Sequence, residues 1–299
     1  MIAHRMLRAG VSAGFSLYIV YLVKHDLLQL YIAPRMELYV KLSAVVFMMF
    51  AVFQLFAAFA SLRGQPLDCG CGHPPARSFW PNAAAYGLLL APLLMGYFLP
   101  DSALGSALVD KKGIVLSANN AAAETKAPEE PSREPALEQA GAMDDEQLAA
   151  SFQTGDLYED QYAALAAQLI KQNPIVVRDD AFLEITTAID LFSDRFIGKR
   201  VQIEGFVYRN EDMAQDQMVV ARMAMECCSA DSTPYGFLIQ YPKASSYADD
   251  TWLRVAGTLN TVDWDGYRIA MLEADTIQPI EAPETPYVYP NYDALDIVK

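Results

Sequence analysis

At 299 residues and 53% hydrophobic, the chain is long enough for two domains, and its formal net charge of −15 is unevenly spread. Residues 1–99 hold seven Lys/Arg against three acids, a net of +4, which leaves −19 for residues 100–299. That acidic balance excludes nucleic acid as a partner, because phosphate binding needs clustered Lys and Arg, and a basic apolar part ahead of it predicts a membrane region joined to a domain in water.

A helix needs about 20 mostly apolar residues to cross the hydrocarbon core. Residues 6–30, 38–62 and 82–99 meet that need, the third being the shortest and carrying Pro92, which membrane helices tolerate. The first span is expected to be retained, since no small-residue cleavage site follows it and a second span comes directly behind. Arg5 and Arg8 stand at the N-terminal edge of the first span and Arg63 and Arg77 follow the second, whereas Lys24 and Arg35 are offset by Asp26 and Glu37. The positive-inside rule then predicts a multi-pass protein of the cell membrane, with a cytoplasmic N-terminus and an extracytoplasmic C-terminal domain. A Gly10-xxx-Gly14 spacing among Ala9, Ser12, Ala13 and Ser16 suits close helix packing, within the bundle or against a partner. No intramembrane acid marks an ion path, so a transmembrane region over 1–113 is too slight to be a complete transporter.

Between the second and third spans, Asp68, Cys69, Cys71 and His73 fall within a loop rich in Gly and Pro. Thiolate and imidazole are ligands for zinc or another thiophilic ion, and the alternative is a flexible loop of reduced cytosolic thiols. Residues 114–145, dominated by Ala, Glu, Pro, Ser and Asn, read as a disordered acidic linker. A helical lead-in over 146–174 follows, as one helix from about Asp145 to Lys171.

Residues 175–299 carry the alternation of a β domain. A short strand is predicted at Phe182-Leu183-Glu184-Ile185, then a helical turn from Ala188 to Phe196, then strands over Arg200–Tyr208, Gln217–Cys227, Tyr235–Tyr241, Thr251–Leu259 and Tyr267–Ile277. The predicted fold class is a membrane α-helical N-terminal region plus an all-β C-terminal domain, a five-stranded OB-like barrel, with a β-sandwich fragment as competitor. Gly205 and Gly257 sit late in two similar strands, where a barrel would bend.

Adjacent Cys227 and Cys228 are the chain's most chemical feature. Strand alternation turns neighbours to opposite faces, so both can chelate one ion only if the strand ends or bulges there. A soft ion could then be held with Asp231 or Glu226, and with Met223 or Met225 as helpers. A strained, easily reduced disulfide and a plain packing role are the alternatives. Arg222 is expected to pair with Glu204 across the sheet. His4, His25 and His73 all precede the β domain, so no Ser/His/Asp set forms there. Neither a phosphate loop nor a paired-carboxylate signature stands out, and enzymatic activity is not expected.

The segments Gly198-Lys199-Arg200-Val201, Glu204-Gly205-Phe206-Val207, Ala221-Arg222, Cys227-Cys228-Ser229-Ala230-Asp231, Trp252-Leu253-Arg254-Val255-Ala256-Gly257 and Pro286-Tyr287-Val288-Tyr289-Pro290, with Ile32-Ala33-Pro34 after the first span, resemble the YcgQ-like family of predicted bacterial permease subunits. The resemblance implies an accessory subunit whose partner is a multi-span permease in the same lipid bilayer. Its inner loop, Cys69-Gly70-Cys71-Gly72-His73, is less His-rich than the family form. Binding or gating of a substrate such as a thiophilic metal ion is the expected role. A membrane-tethered thiol redox protein or sensor, and a docking protein without ligand, are the rivals.

Overall fold

The computed structural model describes residues 2–63, 79–99, 103–116, 145–264 and 266–295. Asp68, Cys69, Cys71 and His73 lie outside the described residues, as do positions 117–144 of the expected linker. The chain forms two compact units that divide between Ala103 and Leu104.

The first unit contains α1 (Ile2–Lys24), α2 (Glu37–Leu62) and α3 (Phe79–Phe98). Small side chains set the α1–α2 contact: Ala9, Ser16, Ala44, Ala51, Ala57 and Ala58 are buried, letting the two backbones approach. Across that seam the Ser16 hydroxyl donates to the Ala44 carbonyl at 2.7 Å, and Arg5 donates to the Ala57 carbonyl at 2.8 Å. Gly14 lies against Leu93 of α3, whereas nothing described stands within 4 Å of a Cβ built on Gly10. Among the described residues, Gly14 alone of the two meets a neighbouring helix. Two stretches of the described residues, Ile2–Lys24 and Pro34–Leu62, are long and apolar enough to cross a membrane. Leu42, Met49, Phe53 and Phe56 of α2 are exposed, an outward apolar face that suits hydrocarbon.

The second unit opens with α4 (Ser106–Lys112), α5 (Asp145–Ser151) and α6 (Leu157–Leu169). It thus takes in residues 104–113, which the sequence reading grouped with the membrane region. The expected single helix from Asp145 to Lys171 is broken into α5 and α6. Gly155 between them has φ +86, and Asp156 begins α6 by accepting the Tyr158 and Glu159 backbone N–H groups. The strand expected at Phe182–Ile185 is instead the start of α7 (Phe182–Leu191), followed by α8 (Ser193–Phe196). Phe182, Ile185 and Ile189 are spaced to share one helix face, and all three are buried.

The sheet comprises β1 (Ile175–Val176), β2 (Arg200–Tyr208), β3 (Gln217–Ala224), β4 (Thr233–Gln240), β5 (Trp252–Trp264), β6 (Tyr267–Pro279) and β7 (Tyr287–Val288). It is mixed: β1–β2, β3–β7 and β4–β6 are parallel, and the remaining pairs antiparallel. The strand order is β1-β2-β5-β6-β4-β3-β7, and β3 also pairs with β2. Five central strands therefore follow one another in a closed circuit of pairings. The unit is not all-β, however. Leu148 of α5, Leu165 of α6 and Ile189 of α7 share one buried core with Val201, Val255 and Leu272 of the sheet. Helices enter because the inner sheet face needs apolar cover that two-residue edge strands cannot supply.

The two glycines singled out in the sequence sit where backbones nearly touch. A Cβ on Gly205 would lie 2.4 Å from the Ala221 carbonyl oxygen, and one on Gly257, at a bulge in the β5–β6 pairing, 2.4 Å from that of Glu273. Backbone atoms cannot swing aside as a flexible side chain can. Gly205→Ala is therefore expected to destabilise the unit by about 1–3 kcal/mol, measured by denaturant unfolding. A change within a few tenths would show that the β2–β3 approach is slack.

Candidate functional site

Strand β3 stops at Ala224, three residues short of its expected end at Cys227. Its last pairings are to Thr233 of β4 and Val288 of β7, and the Met225 N–H still donates to the Val288 carbonyl at 3.0 Å. The chain then leaves the sheet and wraps around one carboxylate. Asp231 Oδ1 accepts the Glu226 N–H at 3.0 Å, while Oδ2 accepts those of Cys227 at 2.7 Å and Cys228 at 3.2 Å. Ser229–Asp231 forms a 3-10 turn capped by Cys228, closing the loop on itself.

That wrap undoes strand alternation and brings both thiols to one side. The Cys227 Sγ lies 3.6 Å from the Cys228 Sγ, and both are free thiols. Cys227 is exposed and Cys228 partly so. The two sulfurs and an Asp231 oxygen lie within 4.8 Å of one another, a group able to hold a metal ion. Of the sequence candidates, Cys227, Cys228 and Asp231 come together. Glu226 takes part through its backbone N–H; its carboxylate is not one of the converging donors. Met223 and Met225 are fully buried and point away from any surface ligand.

Electrostatics bind the three groups into one unit. Hydrogen bonding to Asp231, then to Cys228, then burial, pushes the Cys227 thiol up from 9.0 to about 12. Burial works against ionisation of Asp231, yet the Cys227 thiol and the three backbone N–H groups outweigh it and hold the carboxyl below its usual value. The sign is that of a depressed carboxylate: its stabilisation of the loop is full above the ordinary Asp range and is lost as pH falls through the lowered value. In the metal-free protein, Asp231→Asn removes the anion that retains the Cys227 proton. Its reaction with a thiol reagent at pH 8 is expected to speed up by about tenfold for each unit the thiol falls. A rate–pH profile identical to that of the parent chain would rule out a carboxylate-held proton.

The residue that sequence reasoning missed is Lys112. From the last turn of α4 its ammonium donates to the Ala230 and Ser232 carbonyls, each at 2.8 Å, gripping the loop on both sides of Asp231. Val115 continues the attachment, donating to the Pro234 carbonyl at 3.0 Å. No local pattern announces a contact made across 118 residues of chain.

Arg222 does not pair with Glu204, which instead meets Arg254. The Arg222 guanidinium, 1% exposed, pairs with Asp179 at 2.6 Å. It also donates to the Thr285 carbonyl at 3.1 Å and stacks over Trp252 at 5.0 Å. On an antiparallel sheet, Glu204 lies directly opposite Arg254, so register gives Arg254 the cross-strand position. Arg222 thereby fastens the segment leading into β7 beside the end of β3, where the cysteine loop begins.

Family models place these features. Residues 7–115 match the DUF1980 N-terminal domain and residues 152–290 the DUF1980 C-terminal domain. The chain belongs to the DUF1980 family. It is 25% identical over 222 residues to the UPF0703 protein YcgQ of Bacillus subtilis, covering 72% of each chain. Identity is 23% over 207 residues to a protein of Streptococcus mutans named "Putative two-component membrane permease complex subunit", covering 68% of this chain and 72% of that one. No solved structure matches this DUF1980 protein. The cysteine loop and Arg222 fall within the C-terminal family domain, and Lys112 within the N-terminal one.

Proposed function

We propose that this DUF1980 protein is a non-catalytic accessory subunit of a two-component permease, and that its second unit captures or gates a thiophilic metal ion. The name of the Streptococcus mutans relative supports the first part, together with the two apolar helices. In this reading α3 completes a third span, the N-terminus is cytoplasmic and the second unit is extracytoplasmic. The closed circuit of five strands, with its parallel β4–β6 pair, supports an OB-like barrel. The observation that carries the metal part is the convergence of two thiols and a carboxylate at the surface. A redox role is the second reading, and it rests on the same two free thiols 3.6 Å apart.

The test is to express the tagged chain in its own host, extract it in detergent, and measure the multi-span permease that co-purifies and the metal that is bound. A stable complex carrying about one ion per chain is expected. Cys227→Ser/Cys228→Ser should remove that ion and leave the complex intact. Absence of the permease would sink the subunit assignment; a metal-free complex would sink capture.

A further inference from the structure

Resting on the metal reading above, we infer that the ion is a divalent cation of the zinc class, held by Cys227, Cys228 and Asp231 with a fourth position open for exchange. Distance is the first argument. At a zinc–sulfur length of about 2.3 Å, a tetrahedral ion needs its two sulfurs about 3.8 Å apart. A two-coordinate ion at the same bond length would hold them about 4.6 Å apart, and a disulfide about 2.05 Å. The observed 3.6 Å fits the tetrahedral case with a shift of tenths of an ångström.

The third donor points the same way. Monovalent copper takes soft ligands, yet the donor beside the thiols is a carboxylate, which zinc accepts and soft ions do not favour. Met223 and Met225, the thioethers nearest in sequence, are fully buried, and no histidine follows His73 to offer imidazole. Asp231 Oδ2 accepts two N–H groups and Oδ1 the Glu226 N–H; the Cys227 S–H that also bonds to this carboxylate is lost when the ion binds, which frees an acceptor position for the metal. Those same N–H groups orient the carboxylate, as outer hydrogen bonds do around a metal ligand.

Charge and exposure complete the case. With −19 over residues 100–299, the surroundings concentrate divalent cations. The exposed Cys227 leaves one side of the site to solvent, so three protein ligands meet an ion that takes four. Binding releases two protons as two S–H bonds are replaced by two metal–sulfur bonds. Passage of the ion needs only a ligand from outside to enter at the open position.

The experiment uses the full chain in detergent, with Cys69→Ser, Cys71→Ser and His73→Ala to silence the inner loop. Zinc is titrated against a chromophoric chelator, copper(I) against its own chelator without oxygen, and cobalt(II) serves as optical probe. One zinc per chain is expected, weakened at least about tenfold by Asp231→Asn, while copper(I) changes less than about threefold. Cobalt(II) in the chain retaining Asp231 should show thiolate charge-transfer and strong tetrahedral bands that shift when imidazole is added. This readout does not depend on the folding of any Asp231 variant. Weak octahedral bands, or bands indifferent to imidazole, would overturn the geometry. Copper(I) binding without zinc would overturn the ion class and leave the metal reading standing; binding of neither would remove both.

Discussion

Cys228→Ser alone is expected to weaken metal binding at the outer site by about 10²–10⁴-fold, nearly as much as the double substitution. The two thiols act as one chelate: once Cys227 holds the ion, Cys228 is already 3.6 Å away, and its bond forms within the molecule. A second intramolecular contact of that kind multiplies affinity by about 10²–10⁴. Removing either sulfur forfeits that gain, so the two single effects cannot add. Titration of both single variants and the double variant checks this directly. Single losses that multiply cleanly to the double loss would show two independent ligands instead of a chelate.

Arg222→Ala is expected to cost about 3–5 kcal/mol, the largest stability effect in the second unit. A guanidinium 1% exposed cannot be removed quietly. The Thr285 and Pro286 carbonyls lose their donors, the Trp252 face loses its cation, and the vacated volume is left empty. Its acid partner should matter less. Asp179 is 55% exposed, so water already screens the pair, and Asp179→Asn should cost about 1–2 kcal/mol. Denaturant unfolding followed by near-ultraviolet circular dichroism separates the two. Equal small losses would show that the pair is ionic decoration and that the β7 segment is held by other contacts.

Much of the candidate site was legible in residue order. Adjacent thiols with an acid four positions after the first, in a turn-forming Ser-Ala-Asp setting, pointed to a strand that ends and a loop that could close on an ion. What could not be read was how Asp231 spends its oxygens. Residue types alone make it a metal ligand equal to Glu226, whereas the fold places three N–H groups on it and leaves the Glu226 carboxylate outside. The Met helpers failed for a similar reason. Spacing puts Met223 and Met225 beside the cysteines, but β3 turns Met223 into the core and Met225, just past its end, is buried as well.

Composition and periodicity by themselves determined the apolar helices, the acidic second part and the approximate course of the five central strands. These depend on hydrophobic burial and charge, which are properties of local residue patterns. Tertiary structure decided the rest: the helices that share the sheet's core, the Asp179 partner of Arg222 and the Lys112 grip on the cysteine loop. Each of those is a contact between residues far apart in sequence, set by which surfaces remain to be covered once the circuit of strands has formed. No local pattern encodes that choice.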